Sequence, residues 1–196
     1  ITALVDLGVS DLGESRVQQL VARSAELAGL LSRRRSSPAP AVRWHMIGHL
    51  QRNKVKAVLE CSETVHSVDS LRLAEEISDR AGKLGRSVNV LLQVNCSAEA
   101  QKSGVAVGAA LHMGGMIATL PNIRLAGLMT MAQITDKPEQ ARPAFVRLRE
   151  LFEEMRGERI GDPAFQHLSM GMSQDYQVAV EEGATMVRVG TALFEE

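Results

Sequence analysis

Short runs of apolar and β-branched residues alternate along the chain with longer stretches in which apolar residues recur every three or four positions. The short runs are typical of buried strands, and the longer stretches are typical of amphipathic helices. The predicted strands are Val9–Gly13, Arg43–Gly48, Thr64–Val68, Val88–Asn95, Arg124–Met131, Ala164–Met170 and Met186–Gly190. The predicted helices are Ser15–Ser32, Leu50–Glu60, Leu71–Leu84, Gly108–Thr119, Pro138–Arg156 and Gln174–Glu182. This alternation predicts an α/β fold in which helices connect parallel strands.

Glycine or polar residues follow nearly every predicted strand. They are Gly13-Glu14-Ser15, Gly48-His49, Asp69, Asn95, Thr130, Ser169 and Gly190-Thr191. An eightfold barrel brings the carboxyl ends of all its strands together around one mouth, whereas an open doubly wound sheet uses only those at its switch point. The pattern therefore favours a TIM-type (β/α)8 barrel, with the doubly wound sheet as the alternative.

The first residues indicate where the barrel pattern is incomplete. Ile1–Gly8 is typical of the last turns of a helix that ends at a glycine, and only seven of eight strands are predicted. We therefore expect the first strand and most of the first helix to lie upstream of Ile1. The 196 residues, 45% of them hydrophobic, can bury one core. We predict a single, N-terminally incomplete barrel domain over residues 1–196.

Composition narrows the classes of partner. The net charge is −1, and the dense basic run Arg33–Arg35 lies in a Ser/Pro-rich stretch without stacking aromatic residues, which predicts a solvated loop and no nucleic-acid partner. Apolar runs fall well short of the roughly 20 residues that span a bilayer, and no signal peptide is visible. Cys61 and Cys96 are far apart and each lies near an apolar run, so both are predicted to be buried free thiols, and the histidines lack metal-ligand spacing. These features predict a cytoplasmic protein without membrane or metal sites.

The most informative chemistry lies in two segments near the end of the chain, His167–Asp175 and Gly183–Thr191. Each holds a strand-to-loop junction with glycine beside serine or threonine, and such junctions supply backbone N–H groups and hydroxyls to a phosphate. Alternate residues of a strand share a face, so Arg188 and Gly190 are predicted to point the same way. Arg188 would then reach the molecule that carries the phosphate. An ordinary surface arginine at a strand end is the alternative.

Six motifs in a fixed order connect these segments to a known family. They are Gly13-Glu14-Ser15-Arg16-Val17-Gln18, Trp44–Lys54, His66-Ser67-Val68-Asp69, Gln93-Val94-Asn95 with Lys102-Ser103-Gly104, Gly127–Met131, and the two closing segments. In this order and spacing they closely resemble the pyridoxal phosphate homeostasis protein family, the YggS/PROSC-like group. The resemblance runs essentially from end to end, and Ser169–Ser173 followed by Val187–Thr191 is its most specific part.

The resemblance implies a barrel similar to the barrel domain of alanine racemase, with pyridoxal 5′-phosphate at the carboxyl ends of the strands. The predicted cofactor-binding residues are Ser169, Gly171, Met172, Ser173, Arg188, Gly190 and Thr191. Arg188 would face the pyridine nitrogen. The main chain of Gly190 and Thr191 would bind the phosphate, with hydroxyls from Ser169 and Ser173. Of the two serines Ser173 is favoured, because it precedes the last predicted helix, whose N-terminus attracts anions.

The family's Schiff-base lysine lies at the end of the first barrel strand, in the segment expected upstream of Ile1. The lysines present here are Lys54, Lys56, Lys83, Lys102 and Lys137. All five fall in predicted helices or loops, so none inherits that role. We therefore predict weakened, non-covalent binding of the cofactor by this chain.

The resemblance implies cofactor binding without established catalysis. Arg188 stays charged and can only donate a hydrogen bond to an unprotonated ring nitrogen, an arrangement that supports carbanion formation weakly. We expect a monomer that carries or buffers the cofactor in vitamin B6 homeostasis, with apo-enzymes as acceptors. A pyridoxal-phosphate-dependent racemase or isomerase is the main alternative, and a sugar-phosphate barrel enzyme is a third that leaves Arg188 unexplained. His45 and His66 are residual acid–base candidates, and Tyr176 is predicted to be a packing residue.

Overall fold

Parallel strands alternate with helices throughout the part of the chain that the computed structural model describes, residues 1–33, 41–97, 103–133, 135–161 and 163–194. The strands are β1 (Asp11–Glu14), β2 (Arg43–Met46), β3 (Thr64–Val68), β4 (Val88–Asn95), β5 (Val105–Ala106), β6 (Ile123–Met129), β7 (His167–Met172) and β8 (Met186–Arg188). The helices are α1 (Thr2–Asp6), α2 (Val17–Ser32), α3 (Val55–Leu59), α4 (Leu71–Lys83), α5 (Val107–Ala118), α6 (Arg142–Gly157), α7 (Tyr176–Glu181) and α8 (Thr191–Phe194).

The strands pair in the order in which they occur along the chain, β1-β2-β3-β4-β6-β7-β8, and these pairings are all parallel. The short β5 pairs with the end of β4, beside this path. A doubly wound sheet reverses its strand order at a switch point, so an order without reversal is that of a barrel wall. The order therefore confirms the predicted barrel class. β1 and β8 form the two ends of the path.

All seven predicted strands are present, but several element ends differ from the prediction. β5 was not predicted, because a strand of two residues leaves no periodic pattern. The predicted helix Leu50–Glu60 starts later, in a 3-10 turn at Arg52–Lys54, because Gln51 is extended with φ −77° and ψ 141°. The predicted helix Pro138–Arg156 is divided into a 3-10 turn at Pro138–Ala141 and α6. Pro143 causes this division, because in a continuous helix its ring would clash with the carbonyl of the residue four positions earlier.

The short helix α1 confirms the helix end predicted near the start of the chain. Gly8 follows it with a φ of +90°, a left-handed backbone that glycine adopts readily. The N–H of Gly8 donates to the carbonyl of Val5, and the N–H of Val9 donates to that of Leu4, each at 3.0 Å. This pair of bonds satisfies the carbonyls at the helix end. Val5 is buried, so α1 is anchored to the core.

The core lies between the strands and the helices that cover them. In α4 the buried residues Leu73, Ala74, Ile77 and Ala81 recur at helical spacing and form the inward face. β3 is buried at every position, because helices cover its outer side and the barrel interior covers its other side. The polar ring of His66, in the middle of β3, is therefore enclosed within the barrel wall.

The remaining sequence predictions concern thiols, membranes and the basic run. Cys61 and Cys96 are free thiols, as predicted, but they are half-buried where full burial was predicted. Within the described residues no helix is both long and apolar enough to cross a membrane. Arg33 is the C-cap residue of α2, whereas Arg34 and Arg35 lie outside the described residues.

Candidate functional site

Arg188, the last residue of β8, is held by two uncharged groups at the mouth of the barrel. Its Nη1 donates a hydrogen bond to Ser169 Oγ at 2.7 Å, and its Nη2 donates one to the carbonyl oxygen of Thr130 at 2.9 Å. Ser169 and Thr130 are both fully buried. The guanidinium is therefore fixed in direction, while the groups that hold it leave its charge uncompensated.

The buried surroundings of Arg188 shift the pKa of its guanidinium. Loss of hydration by burial lowers the pKa of the guanidinium to about 10, and the carboxylate of Asp175 opposes that shift. The side chain remains a cation at neutral pH. A cation that is held by neutral partners favours a ligand with an anionic group or a hydrogen-bond acceptor.

A second group of donors converges on Ser173. Its Oγ accepts the N–H of Gly190 at 3.2 Å and the N–H of Ala192 at 3.3 Å. Thr191 lies between these two donors at the start of α8. The structure thus brings together Ser173, Gly190 and Thr191, three of the residues predicted to bind the phosphate. We call Ser173 Oγ and the N–H groups of Gly190 and Ala192 the anion cup.

The reason for favouring Ser173 was wrong in one respect. Ser173 does not directly precede the helix, because α7 begins at Tyr176 and its N-cap is Asp175. The donors to its hydroxyl come instead from the segment after β8. Ser173 accepts from the N–H groups of Gly190 and Ala192. These groups lie close to Ser173 only because β7 and β8 are paired.

The loop between β7 and α7 is closed by two hydrogen bonds between Met172 and Asp175. The N–H of Met172 donates to Asp175 Oδ1 at 2.6 Å, and the N–H of Asp175 donates to the Met172 carbonyl at 3.0 Å. Gly171 has a φ of +92°, and a Cβ at this position would lie 2.6 Å from the Cβ of Ala179. Gly171 and Met172 therefore shape the loop that presents Ser173.

A cavity of about 810 Å³ extends into the barrel beside Arg188. Much of its lining comes from the amino ends of the strands, at Asp11, Arg43, Thr64, Asn89 and His167, and the rest includes the stretch from Thr185 to Gly190. Arg188 and Gly190 are the predicted site residues that line it, together with His45 and His66. A cavity of this size accommodates a small organic molecule.

The two histidines belong to a hydrogen-bonded group that the sequence only partly indicated. His45 Nδ1 lies 2.9 Å from His66 Nε2, and His66 Nδ1 lies 2.9 Å from Ser169 Oγ. His45 Nε2 lies 3.0 Å from Asp11 Oδ1, a contact that the sequence analysis missed. The available signal was a polar residue inside each of three neighbouring strands. No group of His, Cys, Asp or Glu that could hold a metal ion occurs among the described residues.

The lysines lie away from the cavity as far as the structure describes them. Lys54 is in the 3-10 turn before α3, Lys56 is in α3, and Lys83 ends α4. Lys137 directly precedes the 3-10 turn at Pro138–Ala141. None of these four lines the cavity, and Lys102 is outside the described residues.

Comparison with known proteins agrees with this architecture. The family described as "Alanine racemase, N-terminal domain" matches residues 1–196. The pyridoxal phosphate homeostasis protein of Aquifex aeolicus is 40% identical over 196 residues, which cover 100% of this chain and 81% of that protein. The structure of PipY from Synechococcus elongatus with PLP bound has a TM-score of 0.86 and 34% identity, covering 98% of this chain and 85% of PipY.

A more distant neighbour shares the fold alone. Alanine racemase from Clostridium difficile has a TM-score of 0.77 and 18% identity, and the match covers 100% of this chain and 47% of the racemase. The strand order, the match over the full chain and the identity to named relatives agree. The chain therefore belongs to the alanine racemase N-terminal domain family and, within it, to the pyridoxal phosphate homeostasis proteins.

Proposed function

We propose that this chain binds pyridoxal 5′-phosphate at the carboxyl ends of its strands and carries or buffers that cofactor without turnover of its own. It would act as a cytoplasmic monomer within a single barrel domain and would supply apo-enzymes that need the cofactor. The name of the Aquifex aeolicus relative and the PLP bound in PipY support this proposal. The observation that carries it is the pairing of Arg188 with the anion cup.

The donors of the site fit the two polar ends of the cofactor. The phosphate is an anion, and the anion cup offers two backbone N–H groups that converge on the Ser173 hydroxyl. The pyridine nitrogen is an acceptor, and Arg188 is a fixed donor that is held by uncharged groups. Gly190 lines the cavity beside Arg188 and also belongs to the anion cup, so the two groups are neighbours.

The two serines have different roles in this proposal. Ser173 belongs to the anion cup and binds the phosphate. Ser169 is fully buried and already contacts both Arg188 and His66, so we infer that it positions the guanidinium and leaves the phosphate to Ser173.

Arg188 also favours binding over catalysis. When bound, the cofactor supplies an aldehyde that reacts with amines and a ring that accepts electrons, most strongly if the ring nitrogen is protonated. Arg188 donates a hydrogen bond and has no lone pair to accept one, so it holds the nitrogen unprotonated. Burial lowers the pKa of His66 well below its usual value and keeps this ring neutral, and Tyr176 lies on the partly exposed side of α7.

Ligand titration tests the site. Pyridoxine 5′-phosphate lacks the aldehyde, so its binding measures the non-covalent site alone, and inorganic phosphate measures the anion cup. We expect Arg188→Ala to weaken pyridoxine 5′-phosphate about tenfold or more while phosphate binding changes little. Ser173→Ala should weaken both ligands. Exposed Arg72→Ala and Ser32→Ala are matched controls, and isothermal titration calorimetry provides the affinities. Unchanged titrations for both site variants would refute the assignment.

Proton exchange separates this function from the racemase alternative. A racemase or isomerase releases the α-proton of an amino acid and exchanges it with solvent. We expect no cofactor-dependent incorporation of deuterium into alanine when the chain, pyridoxal 5′-phosphate and alanine are incubated in deuterated water. Proton NMR of the alanine α-position measures this, with free cofactor as the control. Exchange above the free-cofactor rate would favour the racemase.

A further inference from the structure

We propose that Asp11, His45 and His66 are positioning residues for Arg188, and that they act through a one-way chain of hydrogen bonds across the barrel interior. The proposal rests on the proposed function, because it gives Arg188 a fixed direction toward the ring of the ligand. It also assigns one protonation state to each histidine, which can be measured without any ligand.

The chain of hydrogen bonds runs through four contacts on neighbouring strands. Arg188 Nη1 lies 2.7 Å from Ser169 Oγ, and Ser169 Oγ lies 2.9 Å from His66 Nδ1. His66 Nε2 lies 2.9 Å from His45 Nδ1, and His45 Nε2 lies 3.0 Å from Asp11 Oδ1. His45 and His66 are buried, and every ring nitrogen lies within hydrogen-bond distance of a protein group. Both nitrogens of each ring are therefore committed to protein groups.

Asp11 sets the direction of these hydrogen bonds. Arg43 donates to both oxygens of its carboxylate, from Nε to Oδ1 at 2.8 Å and from Nη2 to Oδ2 at 2.6 Å. These bonds hold the pKa of Asp11 well below its usual range. The carboxylate is ionised at neutral pH and has no proton to donate. His45 must therefore carry a proton on Nε2, the nitrogen that faces Asp11.

The direction of these hydrogen bonds continues from His45 through His66 and Ser169 to Arg188. His66 Nε2 donates to the bare Nδ1 of His45, because a proton on that Nδ1 would force His66 to donate to Ser169, which already accepts from Arg188. Burial lowers the pKa of His66 well below its usual value, so this ring is neutral and its Nδ1 accepts the Ser169 hydroxyl proton. Ser169 then turns its lone pairs to Arg188, which can only donate. If the hydrogen bonds ran in the opposite direction, His66 and Arg188 would both donate to the Ser169 hydroxyl. The proton of that hydroxyl would then have no acceptor.

Protonation of His45 would break this order. The charged and titratable groups that face the two rings are Asp11, Arg43, Glu63, His167 and Arg188. A second proton on His45 would sit on Nδ1 and meet the proton on His66 Nε2. His66 would have to move its proton to Nδ1, and Ser169 would then receive donors from both sides.

Nitrogen NMR of the histidine rings tests the chain without a ligand. In protein labelled with ¹⁵N-histidine at about pH 7.5, we expect His45 and His66 to be neutral and protonated on Nε2. Signals are assigned by their loss in His45→Gln and His66→Gln. A ring that is cationic, or protonated on Nδ1, would overturn the proposal.

A remote substitution tests the direction. Asp11→Leu removes the acceptor at one end of this series of hydrogen bonds. Because Asp11 is 47% exposed, the change is compatible with folding. We expect His66 to become a mixture of its two neutral tautomers, although it does not touch residue 11. Glu63→Leu is the matched control, because Glu63 lines the same cavity but lies outside the four contacts. An unchanged His66 in Asp11→Leu would show that Asp11 does not set the direction.

Binding distinguishes the positioning role from the proposed function. His66→Phe removes the acceptor for the Ser169 hydroxyl and leaves the anion cup intact. We expect it to weaken pyridoxine 5′-phosphate by about threefold to tenfold, the range for one hydrogen bond, while inorganic phosphate binding stays the same. Ser169→Ala should show the same pattern and covers the case in which His66→Phe fails to fold. Equal effects on both ligands, or none, would overturn the positioning role. If the wild-type protein binds neither ligand, the proposed function fails and the ring signals alone decide the hydrogen-bond chain.

Discussion

Gly171 shows how a single backbone position shapes the candidate site. Its φ of +92° turns the chain sharply at the end of β7, and Ser173 follows two residues later. The same turn brings Met172 and Asp175 within hydrogen-bond distance. A residue with a Cβ would meet both a strained backbone angle and the side chain of Ala179. The position of the Ser173 hydroxyl therefore depends on the absence of a side chain at residue 171.

Replacing Gly171 with alanine should harm both stability and phosphate binding. The strained angle and the 2.6 Å approach to Ala179 are expected to lower the free energy of unfolding by about 1–3 kcal/mol. Urea denaturation measures this loss, and calorimetry with inorganic phosphate measures the effect on the anion cup. Gly115→Ala, in α5 with nothing near its added Cβ, is the matched control. Equal behaviour of the two variants would show that the turn at Gly171 is not constrained.

The elements were predicted well where their periodic pattern is long, and their ends were predicted less well. The alternation of strands and helices followed from burial on both faces of the wall, which the sequence records as apolar runs. Turns and ends depend on single backbone angles, such as the extended Gln51, that leave no periodic signal. Contacts between different elements are harder still to predict from the sequence. Arg142, at the start of α6, pairs with Glu181 and Glu182 at the end of α7, and no local pattern indicates this contact.

Two glycines in the first two helices should respond to alanine with opposite signs. Gly8 ends α1 in a left-handed conformation, so Gly8→Ala is expected to lower the free energy of unfolding by about 1 kcal/mol. Gly29 lies inside α2 with nothing near its added Cβ, so Gly29→Ala is expected to raise it by about 0.5–1 kcal/mol. Urea denaturation gives both values. A gain in stability for Gly8→Ala would contradict the helix end described for α1.

The candidate site could be predicted only as far as its chemistry follows from residue type and spacing. Arg188, Gly190 and Ser173 carried such a signal, and they meet as expected. Asp11 did not, because its role depends on the register that places β1 beside β2. The carbonyl of Thr130 is a main-chain acceptor, and every residue has one. Such partners become visible only when the whole barrel is assembled.

The assembled barrel also makes stability depend on pH. Burial lowers the pKa of His66 and His167 relative to their value of 6.5 in an unfolded chain. As the pH falls through that value, the unfolded chain binds protons that the folded chain does not, so unfolding becomes more favourable. The lowered pKa of Asp11 acts in the same direction in more acidic solution, because that carboxylate resists protonation only when folded.

We therefore expect the protein to be less stable at pH 5 than at pH 7.5. The contribution of His66 to the slope of the unfolding free energy is expected to be at most about 1.4 kcal/mol per pH unit. Urea denaturation across this range measures the slope, which should decrease in His66→Phe. Gln93→Met changes another buried polar residue without a titrating group and should leave the slope unchanged. Stability that rises on acidification would contradict the neutral state of the buried histidines.

The Ser173 hydroxyl accepts both N–H groups of the anion cup, and this has a consequence for ligand exchange. Any anion that enters must compete with an acceptor that the protein itself provides. Binding therefore exchanges one set of hydrogen bonds for another, and the net gain is smaller than the number of new contacts suggests. On departure of the ligand the hydroxyl can take back both donors, which lowers the barrier to release. A site with its own internal competitor is suited to handing a ligand on.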